Sequence, residues 1–159
     1  MTSKTLRVLV RTAVVLVAIC GVTACFYFLP ALGKDLASMF PEYAHCYYPW
    51  LIFLWIAAAP CFAFLALVWK LSAVMKQNLV FTYHTAHMVK TSAIILFCNV
   101  GFFVAGNIVL LMLHMNHPFV LLLSIIIAIF GLVLGVVVAM LSRYLTKGAA
   151  LQEEADSTI

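Results

Sequence analysis

The sequence predicts an all-α fold: a polytopic membrane protein with four transmembrane helices in one domain and both termini in the cytoplasm. Three observations lead there. Of the 159 residues, 67% are hydrophobic and 9% charged, against about 45–50% and about 25% in soluble domains. A chain this short cannot hide so much apolar surface from water, so lipid is the solvent that fits. Four stretches lack Asp, Glu, Lys and Arg, and the basic residues gather on one side of them.

The uncharged stretches are 12–33, 50–69, 91–113 and 118–142. A helix needs about 20 residues to cross about 30 Å of hydrocarbon. An open strand would leave its backbone unpaired in lipid, and a closed barrel needs short alternating segments, which are absent. In the first span, Val22-Thr23-Ala24-Cys25 resembles a lipoprotein cleavage site that would lipidate Cys25. The chain stays apolar through Phe26, Tyr27, Phe28 and Leu29 instead of turning polar, which favours an intact span. The other cysteines, Cys20, Cys46, Cys61 and Cys98, form no CxxC pair and read as small hydrophobes.

Orientation follows from charge. Lys4, Arg7 and Arg11 precede the first span; Lys70, Lys76 and Lys90 lie between the second and third; Arg143 and Lys147 follow the fourth. If the spans alternate, all eight share one side, with Lys34 alone opposite, beside Asp35 and Glu42. The positive-inside rule makes the eight-residue side cytoplasmic, and the cell membrane of a bacterium is the expected location. The cytoplasmic face then comprises loop 70–90 and tail 143–159. Tyr43, Tyr47, Tyr48 and Trp50 suit an outer aromatic belt, and Trp69 marks the inner boundary. Pro49 suits a first helical turn, and Pro60 predicts a kink in the second span.

In the cytoplasmic loop the second helix is expected to run to about Gln77, with Asn78 ending it. Thr82 is an N-cap for the third helix, with Phe81 as the apolar residue before it. These residues, with Lys90 and the ending Leu151-Gln152-Glu153-Glu154-Ala155-Asp156-Ser157-Thr158-Ile159, resemble domain-of-unknown-function family 2975. That family comprises small bacterial four-span membrane proteins with a Gly-x-Pro-Phe-Thr loop and an acidic Thr-Ile tail. Here Asn78 replaces the usual Gly, Val80 the Pro, Thr85 a common Asn and Ala155 another. The resemblance covers nearly the whole chain in hydrophobic layout and implies no established activity. Its members are often encoded beside a helix-turn-helix regulator, which implies a cytoplasmic protein partner. Lys76, Asn78, Phe81, Thr82, Lys90, Glu153, Glu154 and Asp156 are the candidate partner-binding residues. The alternative is a solvated tail and a loop whose lysines only set topology.

Within the spans, Asn99 and Asn107 lie two turns apart and should face the bundle interior, bonded between helices or lining a polar path. Gly131, Gly135 and Ala139, like Gly101 and Ala105, recur every four residues and mark close helix packing, within one bundle or between copies of a homo-oligomer. No ionisable Asp, Glu, Lys or Arg lies deep in a span, which argues against ion-coupled transport.

His45, Cys46, His114 and His117 share the outer side and form a candidate zinc or copper cluster. Pro118 ends the turn after His117, so the four need not converge, and no metal or cofactor is expected. His84 and His87 pair on the inner side. All five carboxylates lie away from the span centres and there is no Gly-rich phosphate loop, so no enzyme is expected. Nor does a basic stripe suggest direct nucleic-acid binding. The function expected is a non-enzymatic membrane protein regulating a cytoplasmic helix-turn-helix factor; a small oligomeric transporter or channel is the alternative.

Overall fold

The computed structural model describes residues 3–74 and 82–157, and every described element is helical. Helix α1 (Ser3–Thr23) passes through a π-helical turn (Ala24–Phe28) into α2 (Leu29–Met39). A 3-10 turn (Pro41–Cys46) leads into α3 (Tyr47–Val74), followed by α4 (Tyr83–Met112) and α5 (Pro118–Ser157). Four helical stretches, Lys4–Met39, Pro41–Ala73, Tyr83–Met112 and Pro118–Glu154, are long and apolar enough to cross a membrane. The expected helix end near Gln77, with Lys76, Asn78 and Phe81, lies outside the described residues.

The helices outrun the uncharged stretches. Most of the stretch 34–49, which the sequence suggests is a loop, is helical, through Met39 and then the 3-10 turn. Likewise α5 continues to Ser157, where the sequence suggests a tail. Ala149, Ala150, Leu151 and Gln152 are strong helix formers, and Leu145 and Ala149 bury one face of the extension. Pro60 lies inside α3, which remains one helix.

The π-helical turn has a local cause. Pro30 lacks an N–H, and in a regular helix its ring would crowd the carbonyl four residues earlier. The turn just before it is widened, with the Leu29 N–H bonded back to the Ala24 carbonyl. The Cys25 carbonyl in this turn accepts a hydrogen bond from the Trp55 indole at 2.9 Å, which pins the bulge to α3.

Helix α4 begins and ends with recognisable caps. Thr82 is extended, and its hydroxyl accepts the Thr85 N–H at 3.3 Å, as the sequence predicts. At the other end, the His114 N–H bonds the Leu111 carbonyl at 3.0 Å and the Met115 N–H bonds the Leu110 carbonyl at 2.9 Å. These are the paired bonds of a Schellman cap. The left-handed position usually taken by glycine is held by His114, at φ 56°. A side chain there costs about 1 kcal/mol, so His114→Gly is expected to stabilise the protein by about that much. Thermal unfolding in detergent checks it: an unchanged or lowered midpoint would be the contrary result.

The helices pack largely in chain order. Helix α1 lies on α3, α3 on α4, and α4 on α5, the last being the longest contact. Among the described residues α5 makes no close backbone approach to α1, α2 or α3, so the bundle is open between its first and last helices. At one end the Arg11 guanidinium sits 4.9 Å from the Trp69 ring centre, and its Nε donates to Ser72 Oγ at 3.1 Å. The same end holds the described core cluster, Ala86, Val89 and Leu145, with Leu71 and Val138 against it. Described basic residues from all four spans therefore gather at one end, with Lys34 alone at the other.

Elsewhere the exterior is apolar. Ile126, Phe130 and Val137 along α5 are 56%, 65% and 56% exposed. A continuous exposed apolar surface of this kind belongs in lipid.

Candidate functional site

The basic end is the most elaborately built part of the molecule. Thr82 caps α4, Thr85 is buried one turn on, and the Ser142 hydroxyl donates across the interface to the Ala86 carbonyl at 3.2 Å. Leu145 closes the contact from α5. Lys90 is exposed on α4, and Glu153 and Glu154 are exposed on the last turns of α5. The backbone of Asp156 is helical, within α5. His84 and His87 are exposed on the first turns of α4.

One arrangement there was not singled out from sequence. Tyr144, Lys147, Leu151 and Glu154 follow each other at spacings of three, four and three, which places them on one helical face. Tyr144 is 65% and Leu151 66% exposed, both beyond Arg143, the first charge after the span. The spacing was available as a signal, but it emerges only once 143–157 is known to be helical.

The intramembrane asparagines sit on α4 at interfaces. The Asn99 amide donates to Cys61 Sγ on α3 at 3.4 Å, and the Asn107 amide donates to the Phe103 carbonyl of its own helix at 2.9 Å. Asn116, in the turn between α4 and α5, donates to the Asn107 main-chain carbonyl at 3.3 Å. Among the described residues, the buried side-chain oxygens of Asn99, Asn107 and Asn116 have no hydrogen-bond partner.

The small residues divide. A Cβ on Gly131 would lie 2.8 Å from Val100, and one on Gly135 would lie 3.1 Å from Phe97, so both seat α5 on α4. Ala139, further along, is half-buried. Gly101 and Ala105 instead face outward, with nothing within 4 Å of a Cβ at Gly101. Gly106 makes the close approach on α4, against Phe53 of α3. Phe53 stacks on Phe103 at 5.6 Å, with Phe102 and Trp50 against it.

The residues at the end opposite the basic one are brought only partly together. Cys46 Sγ lies 3.3 Å from His45 Nε2. The His117 ring packs at a tilt against Phe40, with centroids 4.6 Å apart, and meets the edge of Tyr43 at 5.6 Å, while His114 is exposed at the α4 cap. Among the described residues no three His, Cys, Asp or Glu side chains converge to hold a metal ion.

Four apolar helices, a lipid-compatible exterior and basic residues clustered at one end define a multi-pass membrane protein. The chain belongs to the family described as protein of unknown function (DUF2975), which matches residues 31–159. It is similar to the uncharacterized membrane protein YoaS of Bacillus subtilis (strain 168), 26% identical over 157 residues that cover 96% of each chain. No solved structure matches.

Proposed function

We propose that this is a non-enzymatic membrane protein whose basic end lies in the cytoplasm and docks a protein partner there, a helix-turn-helix regulator. The observation that carries the reading is the exposed stripe Tyr144, Lys147, Leu151 and Glu154 on the extramembrane part of α5. An apolar ridge flanked by both charge signs is the kind of face that another helix packs against. It stands on the tight core of Ala86, Val89 and Leu145, so it is presented rigidly. Lys90 and Glu153 add exposed charge, and Lys76, Asn78, Phe81 and Asp156 complete the candidate set. The positive-inside rule supports a cytoplasmic setting, in the inner membrane of a bacterium. A regulator of the kind encoded beside family members fits as the partner by analogy of setting.

Co-purification in detergent from cells producing both proteins tests this. The regulator is expected with the wild-type chain and is expected to be lost with Leu151→Asp, Phe81→Ala or Lys76→Glu. Equal recovery with all of them, or none with wild type, refutes it.

The unpartnered oxygens of Asn99, Asn107 and Asn116 support a second reading, a small oligomeric transporter or channel. Such oxygens are costly in hydrocarbon and would be satisfied by a polar solute or water. Liposome flux unaltered by Asn99→Leu would count against it.

A further inference from the structure

At the end opposite the proposed docking face, a cavity of about 290 Å³ lies between α2 and α5, backed by α3 and α4. Leu29 and Leu36 form one wall, Leu123 and Ile127 the other, and Leu54 and Phe103 the back. The volume is about twice that of an engineered apolar cavity that binds benzene, and near the lower range of small-molecule pockets.

Of the six polar side chains on the wall, those of Trp50, Ser124, His117 and Cys46 are engaged with the protein, and the rings of Tyr43 and Tyr47 pack edge-on against His117 and Tyr48. The Trp50 indole donates to the Met115 carbonyl at 3.0 Å, and the Ser124 hydroxyl donates to the Val120 carbonyl at 2.8 Å. His117 Nδ1 accepts the Phe119 N–H at 3.2 Å, and Cys46 lies against His45. A cavity lined this way favours an apolar occupant over water.

Its position says which one. This end is roofed by the ring cluster of Phe40, His117 and Tyr43, while below that roof α2 and α5 make no close backbone approach. The open way in is therefore sideways, from the bilayer. On α5 the wall runs from Phe119 to Ile127, about 12 Å of uncharged helix. That is close to the hydrocarbon depth of one leaflet, about 15 Å; on α2 the wall runs from Leu29 to Phe40, and its turns from Lys34 onward, which carry charge, belong at head-group level.

We propose that this cleft is a lipid site that holds one acyl chain of an outer-leaflet phospholipid, entering between α2 and α5 with its head group level with the Phe40–His117–Tyr43 roof. The chain fills the open side of the bundle and joins the first helix to the last. The site does not depend on any cytoplasmic partner.

The full-length protein, reconstituted in vesicles of palmitoyl-oleoyl phosphatidylethanolamine and phosphatidylglycerol and released in mild detergent, would be examined by native mass spectrometry. The wild type is expected to retain one phospholipid per chain. Ala37→Phe and Leu123→Trp, which crowd opposite walls, are expected to lose it while keeping wild-type helicity by circular dichroism. Ala105→Phe, on the exposed face of α4, is expected to keep it. Should one cleft variant fail to fold, the other decides. No retained phospholipid on the wild type, equal retention in every folded variant, or retention of a different apolar molecule would each overturn the proposal.

Discussion

Replacing Gly106 with leucine is expected to destabilise the protein by about 1–3 kcal/mol or more, because overpacked interiors respond on that scale. In lipid there is no hydrophobic drive bringing α3 and α4 together, so their contact depends on shape. Gly106 supplies the shape: a Cβ there would run into the Phe53 ring, with Phe53 Cζ 2.7 Å away. The ring cannot swing aside freely, since Trp50, Phe102 and Phe103 hold it on three sides. Gly101→Leu is the matched control, because nothing lies within 4 Å of a Cβ at that position. Thermal unfolding of the two variants in one detergent checks the prediction. Equal midpoints would mean that Gly106 is not what brings α3 and α4 together.

Truncating Leu145 to alanine is expected to cost about 2–5 kcal/mol, the range for deleting a buried leucine. Its setting differs from that of Gly106. Leu145 follows Arg143, the first charge after the uncharged stretch 118–142, and it is 8% exposed against Ala86 and Val89. With its charged neighbours in water, burial itself is favourable, so removing the side chain loses transfer energy and leaves a cavity. The loss is expected to free the last turns of α5 first, since they have few other buried contacts. Hydrogen exchange in micelles would show faster exchange over residues 142–154 than over 118–135. Uniform acceleration, or none, would contradict the view that Leu145 anchors the extension.

These two predictions show why the sequence was legible in some places and not in others. The spans could be read because the unpaired backbone is intolerable in hydrocarbon, which leaves a long uncharged run little choice but helix. Thr82 could be read as a cap because capping is decided within a few residues. Gly131 and Gly135 meet α4, where their spacing suggests close packing, but on α4 it is Gly106 and not Gly101 that meets α3, since only the rotation of α4 about its axis decides which of them does. The π-helical turn had a signal in Pro30, yet its anchor, Trp55, is 30 residues away in the chain. His114 and His117 share an end without sharing a site, because ring packing against Phe40 and Tyr43 positions His117 independently of His114.

The sequence by itself therefore determined that this is a membrane protein, how many times its chain is able to cross, and where its charges gather. Those properties depend on solvation and local backbone chemistry. Only the tertiary structure decided that the helices pack largely in chain order, that a cleft remains between α2 and α5, and that α5 stays helical past Arg143 with Tyr144 and Leu151 exposed. In lipid every apolar helix face is equally well solvated, so composition cannot choose the neighbours; steric fit chooses them, and fit exists only between assembled surfaces.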